Sequence, residues 1–181
     1  LDMTPASGDT PAAAGVNTCV EVAVGDSFEA DVFATNVSSL TAYEFRVDFD
    51  PKILTLDSES IDFNFLLAKD GGSAGFPQVD MEKPGRWFIG AADGRFPASG
   101  SGTLARLRFN TLKAGTSAIS IASSPVFYGP RLTGALGALV GDDNGDGIWD
   151  GGLSSGKVAV GASCAGATPI VTPAPTQVPN T

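Results

Sequence analysis

Residues 141–152, GDDNGDGIWDGG, place four aspartates, one asparagine and five glycines in twelve positions. Asp142, Asn144 and Asp146 stand at alternate positions, the carbonyl of Ile148 at the seventh and Asp150 at the ninth, with Gly147 allowing the sharp turn between them. A hard cation such as Ca²⁺ takes roughly six to eight oxygens, and this spacing offers five ligand positions from one loop, to be completed by a further carboxylate. Position 12, where an EF-hand carries a bidentate Glu, is Leu153, and the Gly-rich flanks do not resemble paired helices. Asp143 is the nearest further carboxylate. The expectation is a structural Ca²⁺ site that rigidifies a long insertion, with an affinity of about 10⁻⁴–10⁻³ M as in extracellular modules. The competing reading is a metal-free loop of Asx turns.

Catalytic chemistry finds little to work with. The chain has no histidine, which removes Ser-His-Asp and Cys-His arrangements and most transition-metal sites. Glycosidases need only two carboxylates, and Asp48/Asp50, Asp57/Glu59 and Asp80/Glu82 are pairs two residues apart. On a strand such pairs decorate a solvated face, and nothing marks a cleft that would raise one pKa. No Gly-rich loop has the form of a phosphate cradle. The chain is therefore read as noncatalytic. Sugar binding would need a flat row of exposed aromatics, and the supply is Trp87, Trp149, Tyr43 and Tyr128. Tyr43 belongs on a core face, and Trp149 is expected to plug its loop onto the domain. A carbohydrate-binding module stays as an alternative.

The elements that must position these residues are strands. SFEADVFAT sets Phe28, Ala30, Val32 and Ala34 against Glu29, Asp31, Phe33 and Thr35, the period of two of a half-buried strand. YEFRVDFD repeats it with Tyr43, Phe45, Val47 and Phe49 against Glu44, Arg46, Asp48 and Asp50, and ARLRFN with Ala105, Leu107 and Phe109. Shorter apolar runs occur at CVEVAV, ILTL, RWFIGAA, SAISI and KVAV. Between them lie the turn signals VGDS, DPK, KDGGSAG, EKPGR and SGSG. Only residues 61–70, IDFNFLLAKD, suggest a helical turn. Eight or nine short strands, each with one apolar face, imply two sheets packed face to face.

The 181 residues, 43% hydrophobic, suffice for one core. The net charge of −9 disfavours nucleic acid and anionic lipid surfaces, and no apolar run approaches the roughly 20 residues that span a bilayer. The first residue is Leu, which reads as a processed or trimmed chain. Cys19 and Cys164 flank the region that looks folded. Two idle thiols are one reading; beside a secreted-looking Pro/Thr tail the expected one is a disulfide that staples the terminal strands, worth roughly 5 kcal/mol in the chain-entropy description. Three parts follow: an N-terminal arm or first strand (1–18), a β-sandwich (19–164) and a Pro/Thr-rich spacer (165–181). Leu1–Met3 could pair beside KVAV, or exchange between copies to build a surface filament. Asn36-Val37-Ser38 is a glycosylation sequon.

Residues 24–56, VGDSFEADVFATNVSSLTAYEFRVDFDPKILTL, resemble the opening of a cohesin domain: a Gly-Asp turn, a strand, an NV loop, and an aromatic-rich strand ending in FDPKIL. Residues 100–121, GSGTLARLRFNTLKAGTSAISI, are similar to the later family pattern, and SSGKVAVG (154–161) to its last strand. The resemblance covers about residues 19–162 and implies a nine-stranded jelly-roll sandwich in a secreted or cell-surface, noncatalytic adaptor whose protein partner is a dockerin-like module. The family's topology puts the partner face on strands 41–50 and 86–92, which nominates Glu44, Arg46 and Asp48, with whichever of Trp87 and Phe88 points outward. The insertion at 127–152 and the cysteine pair depart from the pattern and bring the chain nearer to non-cellulosomal relatives.

Overall fold

The computed structural model describes residues 1–5, 16–75, 77–93, 96–122, 131–134, 153–164 and 171–172. Its strands are β1 (Cys19–Val22), β2 (Ser27–Asp48), β3 (Leu54–Leu56), β4 (Gln78–Lys83), β5 (Arg86–Ala92), β6 (Ala98–Thr111), β7 (Gly115–Ala122), β8 (Arg131–Gly134), β9 (Leu153–Ser154), β10 (Gly156–Val160) and β11 (Val171–Thr172). Short 3₁₀ turns occupy Ser58–Ser60 and Leu66–Gly71, the second inside the stretch expected to turn helically.

One strand joins both layers of the all-β sandwich. The first half of β2 pairs with β6, whose other edge carries β3. Its second half pairs with β5 on one edge and with β7 and β8 on the other, giving the order β1-β10-β7-β2-β5-β4. The change of layer falls at register shifts beside Ala34, Val37 and Leu40, where Asn36 and Ser39 take φ of 56° and 53°. Bulges bend a strand but leave ladder amides unpaired. Here Asn36 N–H donates to Ser101 Oγ (3.0 Å) and Ser39 N–H to Ser99 Oγ (2.9 Å). The SGSG segment, expected to be a turn, is thus part of β6: its serines cap the bulge amides, and Gly100 supplies a φ of 109°.

The alternating residues meet between the layers as expected. Phe28, Ala30, Val32, Tyr43, Phe45, Val47, Leu107 and Phe109 are all buried. Phe109 stacks on Phe28 (5.3 Å between centroids) within its own layer and meets Phe49 of the other edge-on at 5.4 Å. Tyr43 donates its hydroxyl to the Leu104 carbonyl across the core, and burial pushes its phenol well above the ordinary range.

The first residues dock on their own chain. Leu1, Asp2 and Met3 are buried; Asp2 N–H donates to Asp31 O (2.9 Å) and Asp31 N–H to Asp2 O (2.8 Å). The ladder partner is therefore β2 and not the KVAV strand, β10. Both edges of β10 are taken, by parallel β1 and antiparallel β7, whereas on the side of β2 away from β6 Asp31 pairs with Asp2. The segment also touches the region of β10: the Leu1 ammonium lies 3.4 Å from Ser154 O, and Met3 lies over Gly156. Part of the expected C-terminal spacer is also ordered into a ladder, since Val171–Thr172 pair with Ser154–Leu153.

Candidate functional site

The outward side of the larger sheet gathers the nominated residues into rows. Residues directly opposite in an antiparallel ladder share a face. Glu44 stands opposite Gly90 of β5 and Arg131 of β8, and Gly90 opposite Gln78 of β4. In the next row Ala122, Arg46, Phe88 and Asp80 follow one another from β7 to β4, and beyond it come Ser120, Asp48 and Arg86, with Lys83 after a bulge.

Register also decides between the two candidate aromatics. Phe88 is opposite Arg46 and so lies on this face. Trp87 is opposite Val47, a fully buried residue, and packs against the core. Trp87 is thus removed from the nominated partner face; its side chain points between the layers because the pleat alternates and Val47 fixes the phase.

The charges on the face form a chain. Asp48 accepts from Arg46 (Nη2 to Oδ2, 3.1 Å) and from Arg86 (Nε to Oδ1, 2.6 Å), and Arg86 reaches Glu82 at 3.8 Å. The bond to Asp48 is the chief reason the Arg86 guanidinium is held above its ordinary pKa. Gln78 Nε2 donates to Asp80 Oδ2 (2.7 Å). Gly90 is buried and lets β2 approach closely: a Cβ there would lie 3.0 Å from the Tyr43 carbonyl oxygen and 3.4 Å from Glu44 Cβ. The face therefore offers an aromatic at its middle, flanked by a braced ion chain on one side and the Glu44–Gly90 row on the other.

Gln78, Asp80, Lys83 and Arg86 were not nominated from the sequence. The signal was present, because EKPGR reads as a hairpin turn and its left arm must then pair with RWFIGAA. QVDMEK carries too little apolar alternation to stand out alone. Its burial is low throughout, as suits a charged edge strand.

The carboxylate pairs find local work. Asp50 Oδ1 accepts from Lys52 N–H (2.9 Å), Asp57 from Ser60 Oγ (2.7 Å) and Asp48 from the two arginines. Asn36 of the sequon is exposed at the layer-changing bulge. The Ca²⁺ ligands nominated above, Asp142, Asn144, Asp146, Ile148 and Asp150, lie outside the described residues, as do Trp149 and Tyr128. Leu153, the twelfth position of that loop, begins β9.

A disulfide joins Cys19 and Cys164, 145 positions apart in sequence, with 6.2 Å between Cα atoms. Beside it Glu21 Oε1 accepts from Cys164 N–H (2.6 Å) and Ser163 Oγ (2.9 Å). These bonds, the backbone one first, hold the Glu21 carboxyl below the usual carboxylate range.

Among known proteins, the family described as Cohesin domain matches residues 16–136. No curated protein matches the chain. Similar solved structures include the sixth cohesin of Acetivibrio cellulolyticus scaffoldin B in complex with a Cel5 dockerin (17% identity, 85% of this chain and 99% of that chain, TM-score 0.58). A non-cellulosomal cohesin from the hyperthermophilic archaeon Archaeoglobus fulgidus shares 14% identity over 80% of this chain and 86% of that one, TM-score 0.57. CaCohA2 from Clostridium acetobutylicum shares 26% over 78% and 86%, TM-score 0.56.

Proposed function

The chain belongs to the cohesin domain family, and on that footing we propose that it is a noncatalytic, extracellular or cell-surface adaptor whose outward β7-β2-β5-β4 face binds a protein partner of the dockerin class. Dockerins are the partners in the complexes of the Acetivibrio cohesin and of a Clostridium thermocellum cohesin, Coh-OlpC. The observation that carries the reading is the row Arg46–Phe88–Asp80 beside Glu44: a half-buried aromatic side chain set among charges on one face of the sheet. Interfaces draw their energy from such aromatic and arginine anchors. The internal pairing of Arg46, Asp48 and Arg86 pre-orders the charges, so a partner meets a fixed pattern and pays less ordering entropy.

The test is calorimetric titration of the full chain against purified dockerin modules, with Phe88→Ala and Glu44→Lys beside the unaltered protein. The expected result is a complex weakened at least about tenfold by Phe88→Ala, the loss of about 1.4 kcal/mol or more that an interface anchor gives. Equal affinity in both variants would move the partner site elsewhere, and the absence of binding to every dockerin would remove that partner class.

We propose further that Asp142, Asn144, Asp146, the Ile148 carbonyl and Asp150 hold Ca²⁺ as a brace for the insertion. The support is the spacing of these oxygens in the sequence.

A further inference from the structure

The position of the disulfide fixes where mechanical load travels. β1 opens at Cys19, and β10 ends at Val160 beside Val22, the two strands running parallel. After Val160 the chain reverses at Gly161 (φ 60°), whose N–H donates to Val22 O (2.8 Å). It then returns along β1, where Glu21 takes Ser163 and Cys164, and the Cys164 sulfur meets that of Cys19. Entry and exit of the sandwich are thereby joined covalently, with 6.2 Å between their Cα atoms. Every strand of the two core layers, β1 to β8 and β10, lies within that closed loop.

We propose that Cys19–Cys164 is a covalent load bypass: tension applied between residues ahead of Cys19 and residues after Cys164 passes through the sulfurs and leaves the sandwich unloaded. A chain under tension bears it along its shortest covalent path, and here that path omits the loop of 145 residues of separation. At most the docked Leu1–Met3 segment and the β11 pairing with β9 are stripped, since these lie ahead of Cys19 and after Cys164. Load that enters through a face of the sandwich is different, because from there the loop itself is the path to either cysteine. An adaptor built this way keeps its partner-binding face folded while its own chain is stretched, and yields only to force delivered through the face. With the sulfurs apart, tension falls on the backbone hydrogen bonds of β1 with β10 and β10 with β7. The inference rests on the disulfide and stands whether or not the partner is a dockerin.

Single-molecule stretching of the full chain, held by handles at its two ends, tests it. In the oxidised chain no lengthening step beyond the short docked segments ahead of Cys19 and after Cys164 is expected, whereas with dithiothreitol present a step of about 500 Å appears, the contour of the sandwich at about 3.5 Å per residue. A third arm moves one handle to an azide-bearing residue in place of Lys83, on the face. The oxidised chain should then give a step of about 220 Å, the contour of the ~64 residues back to Cys19, which shows that the sandwich can be pulled apart at the forces used. A step of about 500 Å in the oxidised, end-held chain overturns the proposal. So does titration of two free thiols per native chain before reduction.

Discussion

Arg106 grips Asp31 with two parallel hydrogen bonds, Nε to Oδ1 at 2.7 Å and Nη2 to Oδ2 at 2.9 Å, across the ladder between β6 and β2. Asp31 is 3% exposed. Thr103 Oγ1 donates a third bond to it at 3.0 Å, and the Phe65 ring lies 4.9 Å from the guanidinium carbon on Arg106. Hydrogen bonding to Asp31 is the main reason the guanidinium is held above its ordinary pKa.

Removing one partner of such a pair costs more than removing both, because a lone buried carboxylate keeps its desolvation penalty. Arg106→Met is expected to lower the unfolding free energy by about 3–5 kcal/mol, and Asp31→Leu combined with Arg106→Met to recover much of that loss. Urea unfolding of the single and double variants checks this. A double variant as unstable as the single one would show that the pair itself, and not its uncompensated half, supplies the stability.

Much of the sandwich was legible because burial is written locally in strands. Phe28 to Ala34, Tyr43 to Phe49 and Ala105 to Phe109 alternate cleanly, and each set lies between the layers. The corner of β2 was not legible: Ser and Gly on either side of it read as turns, while their hydroxyls and free φ values serve a bulged ladder. Trp87 and Phe88 could not be told apart from RWFIGAA alone, since an alternating strand has two phases and only the pairing with Val47 selects one. Asp31 looked like a solvated outward residue. Its cover comes from Asp2, Thr103 and Arg106, up to 75 positions away, which no local pattern encodes.

Gly156 reports whether the first residues are docked. A Cβ at that position would lie 2.1 Å from Met3 Sδ and 2.8 Å from Met3 Cγ, so Gly156→Ala must displace Met3 from a site where it is 1% exposed. Loss of a buried Met side chain costs about 2–5 kcal/mol, and Leu1 and Asp2 are expected to leave with it. Hydrogen exchange of the Asp31 amide, which donates to Asp2 O, should accelerate strongly in the variant, while the Phe45 amide in the second half of β2 stays protected. Unchanged protection at Asp31 would mean that Met3 finds another seat.

The amino group of Leu1 carries a pH dependence of the same sense as a paired carboxylate, in a higher pH window, because both have a folded-state pKa below the unfolded one. Burial lowers its pKa from 8.0 to about 6, against the pull of Asp2 and Asp31. A base with a depressed folded-state pKa binds more protons unfolded than folded between those two values, so stability rises as pH increases from 6 to 8. The two-unit shift corresponds to about 2–3 kcal/mol. For a chain whose first residue is Leu1, unfolding free energies at pH 6 and pH 8 should differ by roughly that amount, and acetylation of the amino group should remove the difference. A difference that survives acetylation would have to come from other groups.

The calcium reading is open to the same kind of measurement. Four aspartates within nine positions repel one another, and a divalent cation that binds only the folded chain stabilises it by RT ln(1 + [L]/Kd). With a dissociation constant of about 10⁻⁴–10⁻³ M, 10 mM Ca²⁺ contributes about 1.4–2.7 kcal/mol. In a chain of 181 residues that raises Tm by roughly 3–10 °C over the chelated protein. Asp146→Asn and Asp142→Asn should each abolish most of the shift, because either removes an anionic ligand from the pattern. Mg²⁺ at the same concentration should do little, since it demands a tight octahedral shell and gives up its waters reluctantly. Equal melting temperatures in calcium and in chelator would leave residues 141–152 as a polar loop held by its own Asx turns.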